Sequence, residues 1–385
     1  MKFSIITQPG IEETVSKEIK EFFNLDAESK DSYLNIELPI DKINMENLFK
    51  FLVLAQSPRK IVAQIAEFDF IDIEDLQNKI SKNLDDAEYF TKDSKTFFAR
   101  CIHVNNKDIC APELEPEIGS LILDKYSKLK VSLKDADIKF LLFVNKNKAV
   151  LGIDLTRNDL SKRQYKLINS GKSLRADIAY HMIRAIDFKE GEILVDPNSK
   201  TAEISIEAAL HVSKMHNYYE TIFQTYELKI FDKIDQDEIL KKIKTDAKTK
   251  LKSLKKNIFA YSDLIKDVTA GKSNAKVAGV LDIIEFSKVS LDWLDTKFDK
   301  EIVDKISSFL PSESKHIRSK DVKKIYTEFL YQVDYILKKS GLCGILLQKT
   351  ELFLEMAKQK QFKAIKQYNI IVGELELIYV IIQKN

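Results

Sequence analysis

The sequence is poor in the residues that build disulfide-linked or metal-bound folds. Among its 385 residues there are only three cysteines, ten glycines and seven prolines. Cys101, Cys110 and Cys343 show neither metal-ligand spacing nor even pairing, and the five histidines are scattered. We therefore predict no metal site and no disulfide framework, and we expect a reducing, cytoplasmic compartment.

The sequence also lacks a strong net charge and a long apolar run. Its formal net charge is +2, so charge alone neither favours nor excludes a nucleic-acid partner. The longest apolar tract, 368–382, is interrupted by Glu374 and Glu376, and it is too short and too charged to span a bilayer. Met1 begins a strand pattern rather than a signal sequence. We expect no membrane partner, and the length suffices for two or three domains.

One stretch, from Glu192 to Leu210, organises the second half of the chain. An apolar run ends at Asp196, and after a polar turn a helical pattern begins near Ile204. This strand–loop–helix order is typical of a doubly wound α/β sheet, in which a ligand lies above the carboxyl end of the strand. Such a loop usually carries glycines, because the backbone must turn tightly and let a nucleotide-like ligand approach. The loop 198–203 carries none.

This stretch resembles motif I of the THUMP-containing class I RNA methyltransferases, specifically the archaeal tRNA type that methylates the exocyclic amine of a guanosine with S-adenosylmethionine. The family loop reads D-P-x-C-G-S-G-T and continues with I-E-A-A. The chain keeps Asp196, Pro197 and the I-E-A-A at 206–209, whereas Lys200 and Ala202 replace the two glycines. The resemblance implies vestigial cofactor contacts at Asp196 and Pro197. Asp196 can equally be a helix cap, and Lys200 a solvated lysine, a phosphate contact or the partner of a ligand carboxylate.

The resemblance extends to the first half of the chain. A strand over 2–7, the turn Gln8-Pro9-Gly10 and a helix over 11–23 resemble the ferredoxin-like domain of the family. The segment 96–126, with Pro116 in the first turn of its helix, resembles the RNA-binding THUMP module. The resemblance implies an α/β protein with a ferredoxin-like α+β domain (1–60), a THUMP domain (61–158), a linker (159–185) and a Rossmann-like seven-stranded methyltransferase domain (186–385).

The segment joining the last two domains is the most specific match. Leu160 to Tyr165 and Ser173 to Ala179 follow the family patterns L-H-K-R-G-Y and P-L-K-x-x-I-A. Basic residues interleaved with an aromatic suit a phosphate backbone. We predict RNA contacts for Arg100, Lys162, Arg163, Tyr165 and Arg175, with Arg157, Lys166 and Lys172 in the same cluster. A lysine-rich helix predicted over 228–254 is most simply a solvated face.

The family's reaction places demands on the turn after the fourth strand. Its N-P-P-Y motif supplies acceptors for the target amine and a ring that stacks on the base. The aligned residues are Phe309, Leu310, Pro311 and Ser312, so only the proline is kept. One lost transition-state hydrogen bond costs ~10²–10³ in rate, and a lost base stack costs about 1–3 kcal/mol. Together with the missing glycines, these losses are expected to lower the rate of methyl transfer by a factor of ~10⁴ or more.

We therefore predict an RNA-binding pseudoenzyme with tRNA as its ligand, no intact catalytic residue and no cofactor. Asp263 stands where the family has the acid for the cofactor ribose, and it is equally a strand-end turn residue. Two alternatives stay open. One is an S-adenosylmethionine-dependent RNA guanosine methyltransferase with a rearranged site. The other is a protein-interaction scaffold, which the nearly neutral net charge leaves open. Its partners would be an active methyltransferase paralog or a second copy of the chain in a homo-oligomer.

Overall fold

The computed structural model describes residues 1–106, 108–134, 136–156, 158–170, 173–215, 228–313 and 317–385. These residues form two compact units. The first takes in Met1–Thr7, Val15–Leu160 and the described part of 220–240. The second takes in Gln8–Thr14, the described part of 161–219 and Lys241–Asn385. Each unit is built on its own β-sheet.

Eight strands form the sheet of the first unit. They are β1 (Lys2–Ile6), β2 (Glu28–Lys30), β3 (Tyr33–Glu37), β4 (Lys60–Asp69), β5 (Thr96–Val104), β6 (Lys130–Val131), β7 (Ile138–Asn145) and β8 (Lys148–Asp154). Their order is β2-β3-β1-β4-β8-β7-β5-β6. Because β4 pairs with both β1 and β8, one sheet continues through the segments predicted as ferredoxin-like and THUMP domains. The boundaries of those domains stay predictions.

Five helices accompany these strands along the sequence: α1 (Glu12–Phe23), α2 (Lys42–Leu54), α3 (Ile73–Asn83), α4 (Glu88–Thr91) and α5 (Ala111–Lys125). Asp41 and Asp72 cap α2 and α3, because each carboxylate accepts a hydrogen bond from a backbone N–H of the first turn. The predicted place of Pro116 in a first turn was wrong. The helix α5 begins at Ala111, with Pro112 in its first turn, so Pro116 lies inside it.

Seven strands form the sheet of the second unit: β9 (Leu194–Asp196), β10 (Ile258–Ser262), β11 (Ile284–Lys288), β12 (Val303–Phe309), β13 (Leu337–Leu347), β14 (Phe362–Val372) and β15 (Leu375–Lys384). The order is β11-β10-β9-β12-β13-β15-β14. The strand β9 is parallel to both neighbours, and β15 is antiparallel to both of its own. The predicted seven-stranded α/β sheet with an antiparallel pair at its end is confirmed.

Six further helices follow: α6 (Ala176–Ala185), α7 (Glu203–Ser213), α8 (Gln236–Ser253), α9 (Ile265–Val277), α10 (Ser319–Ile336) and α11 (Glu351–Gln359). The lysine-rich helix is shorter than predicted, because Lys229–Phe231 forms a separate 3-10 turn and Asp235 accepts a hydrogen bond from the Glu238 N–H at the true start. None of the helices in the described ranges is long and apolar enough to cross a membrane.

The core of the second unit lies on both faces of its sheet. One cluster joins α6, α7 and α9 to the sheet, and the other joins α10 and α11 to the opposite face. The strands between them are buried on both sides, as parallel strands under two helix layers must be. Packing of helices on both faces of the sheet fixes the positions of the loops at the carboxyl ends of β9, β10 and β12.

The turn at Gln8-Pro9-Gly10 belongs to the second unit and packs on its edge strand β14. The Ile371 N–H donates to the Pro9 carbonyl at 3.2 Å. A Cβ added to Gly10, which has a φ of +97°, would lie 1.9 Å from the Asn369 carbonyl oxygen. Glycine is therefore required at this turn both for its backbone conformation and for its close approach to β14.

Candidate functional site

A cleft of about 400 Å³ opens where β9, β10 and β12 end. Loops at the carboxyl ends of parallel strands are the usual ligand site of this architecture. The structure brings together three segments that the sequence singles out: the loop after β9, the residue after β10 and the turn after β12. The lining residues are Asn198, Lys200, Asp263, Phe309, Leu310, Pro311, Ser312, Ile317, Ile325 and Gln348.

The carboxylate of Asp196 lies outside this lining, in the protein interior, and its residue is 3% exposed. Its Oδ1 accepts hydrogen bonds from Ser308 Oγ at 2.7 Å and from the Asn198 backbone N–H at 3.2 Å. Burial raises the pKa of this carboxyl to about 7, although both hydrogen bonds and the charge of Lys200 act in the opposite direction. Asp196 thus links β9 to the neighbouring strand β12, and it does not face a ligand.

The loop after β9 keeps the backbone shape of a glycine loop without the glycines. Ala202, the residue before α7, has a φ of +67° and is buried. This left-handed conformation normally favours glycine. Asp196 does not cap α7, because its bonds go to Ser308 and Asn198. Pro197 is likewise buried and forms no part of the cleft surface.

Lys200 extends its side chain along this loop. Its Nζ lies 3.5 Å from Asp267 Oδ2, in the first turn of α9, and its side chain is 21% exposed. The structure gives Lys200 a carboxylate partner within the protein, Asp267, which is none of the three roles predicted for this lysine. The positive charge therefore lines the cleft at the position where the resemblance implies a glycine.

The turn 309–312 directs its acceptors into the protein. Each of three acceptors has a donor from a neighbouring segment: Asn198 Nδ2 donates to the Phe309 carbonyl at 2.7 Å, Tyr326 Oη to the Pro311 carbonyl at 2.8 Å, and the Gln348 N–H to Ser312 Oγ at 3.0 Å. Phe309 has no acceptor in its side chain, and Ser312 has no ring to stack on a base. These three acceptors of the turn therefore take part in hydrogen bonds that stabilise the fold.

The residues present do not fit the methyl donor that the fold family implies. A donor must approach the loop backbone closely, and Lys200 projects a long side chain from that position. Asp263 is exposed in the cleft and is compatible with a ribose hydroxyl, but it is a single contact. In the described part of the chain no group of His, Cys, Asp and Glu residues could hold a metal ion.

Two residues predicted to bind RNA are buried instead. Arg163 Nε donates to Glu207 Oε1 at 3.0 Å and Arg163 Nη2 to Glu207 Oε2 at 3.1 Å, and both side chains are fully buried. Tyr165 Oη donates to Glu207 Oε1 at 2.8 Å. Burial raises the pKa of Tyr165 well above its usual value. Neither Arg163 nor Tyr165 can reach an RNA in this arrangement, so we correct their assignment from RNA contact to structural support of α7.

Arg175 and Lys166 are also engaged within the protein. Arg175 Nη2 donates to Asp177 Oδ2 at 2.7 Å and to Ser161 Oγ at 3.1 Å, with 31% of the side chain exposed. Lys166 Nζ donates to the Leu174 carbonyl at 2.6 Å. Both side chains hold the segment before α6 in place, which leaves them poorly available to a phosphate.

Arg100 and Lys162 are the predicted RNA contacts that do lie at the surface. Lys162 is exposed. The Arg100 side chain is 59% exposed, stacks 5.1 Å from the Phe98 ring centroid and lies 3.3 Å from a Glu115 oxygen. Their role in RNA binding stays a prediction. Arg157 and Lys172 lie outside the described residues.

Sequence patterns do not identify the residues that pair with Asp196 and Lys200. Ser308 holds Asp196 and Asp267 holds Lys200. The available signals are the Ser307-Ser308 pair next to Ile306 in β12 and an acid in the first turn of α9. Neither signal identifies its partner, because the pairing depends on which strands lie side by side.

Comparison with protein families gives two matches. Residues 163–378, more than half of the chain, match the family described as RMKL-like, methyltransferase domain. Residues 71–154 match the THUMP domain. The two matches follow each other along the chain in the predicted order.

Two archaeal relatives match over nearly the whole chain. The tRNA (guanine(6)-N2)-methyltransferase of Methanocaldococcus jannaschii is 26% identical over 386 residues, which cover 97% of this chain and 98% of the relative. The protein of the same name from Archaeoglobus fulgidus is 22% identical over 366 residues, which cover 93% of this chain and 86% of the relative.

Solved structures show the same fold over the same length. TrmN from Thermus thermophilus gives a TM-score of 0.68 at 17% identity, covering 100% of this chain and 99% of that one. SMU.472, solved as a complex with SAH, gives a TM-score of 0.75 at 17% identity, covering 100% and 98%. At such identities the likeness establishes the fold alone. On the family match, the chain belongs to the RMKL-like methyltransferase-domain family, with a THUMP domain ahead of that domain.

Proposed function

We propose that this chain is an RNA-binding member of its family, with tRNA as the ligand, that no longer transfers a methyl group. The observation that carries the proposal is the turn 309–312, three of whose acceptors are bonded within the protein. An exocyclic amine can be methylated only when acceptors draw its protons and aim its lone pair at the donor. The side chains of Phe309 and Ser312 supply neither an amide acceptor nor a stacking ring.

The cofactor loop supports the same proposal. Lys200 reaches toward Asp267 from a position where the donor needs open backbone. A bound donor would have to displace this side chain and separate its charge from a carboxylate. We therefore propose that the chain binds no cofactor and that Asp196, Pro197 and Asp263 are vestiges of a donor site.

The RNA-binding part of the proposal rests on the THUMP domain and on the relatives. Both archaeal relatives are named as tRNA (guanine(6)-N2)-methyltransferases. Arg100 and Lys162 present exposed cations in the first and second units respectively. We propose these two residues as phosphate contacts.

A second candidate function is favoured by one observation. The cleft of about 400 Å³ remains open, with Asp263 exposed in it, and the named relatives are methyltransferases. An active tRNA guanosine methyltransferase that uses S-adenosylmethionine in a rearranged site would need such a cleft. In that case a ligand must move Lys200 away from Asp267.

A methyl-transfer assay decides between the two candidate functions. It combines the full-length chain with a tRNA transcript and a labelled methyl donor. We expect tRNA to be retarded in a native gel, with binding that weakens as salt rises, and no label in the RNA. Calorimetry with S-adenosylmethionine should show no heat of binding. The Methanocaldococcus jannaschii relative serves as the positive control. Label that reaches the tRNA over repeated turnovers would establish the second candidate, and the absence of any RNA shift at low salt would favour a protein-interaction scaffold.

A further inference from the structure

The outer face of α8 carries a straight row of lysines. Lys241, Lys248 and Lys252 are seven and four residues apart, so at 3.6 residues per turn they lie within an arc of roughly 40°. All three are exposed. We call these three residues the lysine row. It lies wholly within the second unit.

Packing of the opposite face fixes the direction of this row. Ile243 is 9% exposed and Ala247 is 1% exposed. Around the helix, Ile243 lies roughly 160° and Ala247 roughly 120° from the middle of the row. Leu251, roughly 80° from the row, packs against the core cluster of the second unit. The lysines therefore point outward because the apolar side of the helix is held by the core.

The C-terminal part of the row has little negative charge beside it. Two acids of the first turn, Asp237 and Glu238, lie one turn before Lys241. From 241 to 256 there are eight lysines and one acid, Asp246, and Asp246 lies roughly 140° from Lys241 around the helix. Lys250 pairs with Glu190. No ion pair joins any lysine of the row to another residue that the structure describes. A solvated helix face normally alternates charges of both signs, whereas the charged residues of this face from Lys248 to Lys252 are all lysines.

The chemistry of the row suits a phosphate backbone better than a protein surface. Thr245 and Thr249 flank the lysines, and their hydroxyls donate to the carbonyls of Lys241 and Thr245 at 2.8 and 2.9 Å. No aromatic or exposed aliphatic side chain stands among them to anchor a protein partner. Lysine is also depleted at protein interfaces, whereas it is a common phosphate ligand.

The dimensions agree with this partner. From Lys241 to Lys252 the helix rises about 16 Å, which is long enough to follow several successive phosphates. We infer that the lysine row of α8 is a phosphate-binding surface through which the second unit holds RNA. This inference rests on the proposed RNA-binding function and adds a surface, separate from the cleft, that provides affinity without reading sequence.

The test compares two triple variants of the full chain. One is Lys241→Gln, Lys248→Gln, Lys252→Gln, and the matched control is Lys320→Gln, Lys323→Gln, Lys324→Gln on α10, where the three lysines are also exposed. Glutamine keeps the helix propensity while removing the charge. The affinity for a tRNA transcript is measured by fluorescence anisotropy at several salt concentrations, and circular dichroism establishes that each variant is folded.

We expect the row variant to lose about 2.1–2.7 from the slope of log affinity against log salt, which is about 0.7–0.9 for each lost contact. As the salt concentration falls from 200 to 50 mM, the ratio of the unaltered chain's affinity to the variant's affinity then grows roughly 20- to 40-fold. The control variant should keep the original slope.

Three results would overturn the inference. Unchanged slopes in the row variant would make the row a solvated face, or a surface for an acidic protein. Equal losses in both variants would show a response to net charge and not to this surface. If the unaltered chain binds no tRNA at all, the proposed function fails together with the inference, whereas unchanged slopes with intact tRNA binding overturn the inference alone.

Discussion

Two layers of the second unit differ in how they match the family pattern. The first layer, which we call the frame, consists of Arg163, Tyr165 and Glu207 and lies in the interior. These residues match the family motifs, and the structure joins them by hydrogen bonds of 2.8–3.1 Å. The second layer, which we call the lining, consists of the loop after β9 and the turn 309–312. There the residues with special chemistry in the family have been replaced.

This difference teaches that the residues that hold the fold together are not the residues that line the cleft. The frame ties the segment before α6 to α7 and thereby sets the place of the loop. The residues of the lining differ from the family motifs, and they still satisfy the backbone geometry and the buried polar atoms. A chain can therefore keep the architecture of a methyltransferase while its cleft changes, and substitutions in the two layers should have unequal consequences for stability.

The largest effect is expected in the frame, from Glu207→Ala. This change leaves the Arg163 guanidinium buried without its carboxylate, and breaking a fully buried ion pair typically costs about 3–5 kcal/mol of unfolding free energy. Trp293, the only tryptophan of the sequence, lies in the second unit, so its fluorescence in urea reports on that unit.

The matched control is Asp177→Ala, whose partner Arg175 is 31% exposed and can regain water. Its cost should be clearly smaller. If the two variants unfold at the same urea concentration, the frame is no more important than a partly exposed ion pair, and the distinction between the layers fails.

A smaller effect that depends on pH is expected for Asp196→Asn, beneath the lining. Burial raises the pKa of Asp196 from 3.8 to about 7 in the folded chain. The folded state then holds a proton that the unfolded state releases, so this contribution to stability is complete below pH 4 and is lost as pH rises to about 7. Asparagine does not titrate. Relative to the unaltered chain, the variant should gain up to about 4 kcal/mol between pH 4 and pH 8, measured by urea unfolding. Parallel pH profiles would contradict a buried, neutral carboxyl.

Sequence patterns located the residues of the frame along the chain, but they did not predict that these residues hold the fold together. The apolar periodicity located nearly all the strands of the second unit, because its central strands are buried on both faces and most of them contain an apolar run. It missed the short strand β2 and the helix α11. The motif around Arg163 and Tyr165 is evident in the sequence, but its charge and its aromatic residue predict contact with RNA. A basic residue bonded to a buried carboxylate cannot be distinguished by sequence from one that binds phosphate, because the partner Glu207 lies 44 residues away.

The smallest effect is a difference in unfolding free energy between two alanine-to-glycine variants, one in the lining at Ala202 and one in helix α7 at Ala208. Ala208→Gly in α7 removes a buried methyl and adds backbone freedom, which together cost about 1.5–2 kcal/mol. Ala202→Gly removes a buried methyl too, but it also releases the strain of a left-handed alanine, worth about 1–2 kcal/mol. The two terms nearly cancel, so this variant should stay within about 0.5 kcal/mol of the unaltered chain in urea unfolding followed through Trp293. Because the residue types and the burial are the same, a difference of about 1–2 kcal/mol between the variants isolates the backbone conformation. Equal losses would mean that the loop has relaxed around its alanine and no longer keeps the geometry of a glycine loop.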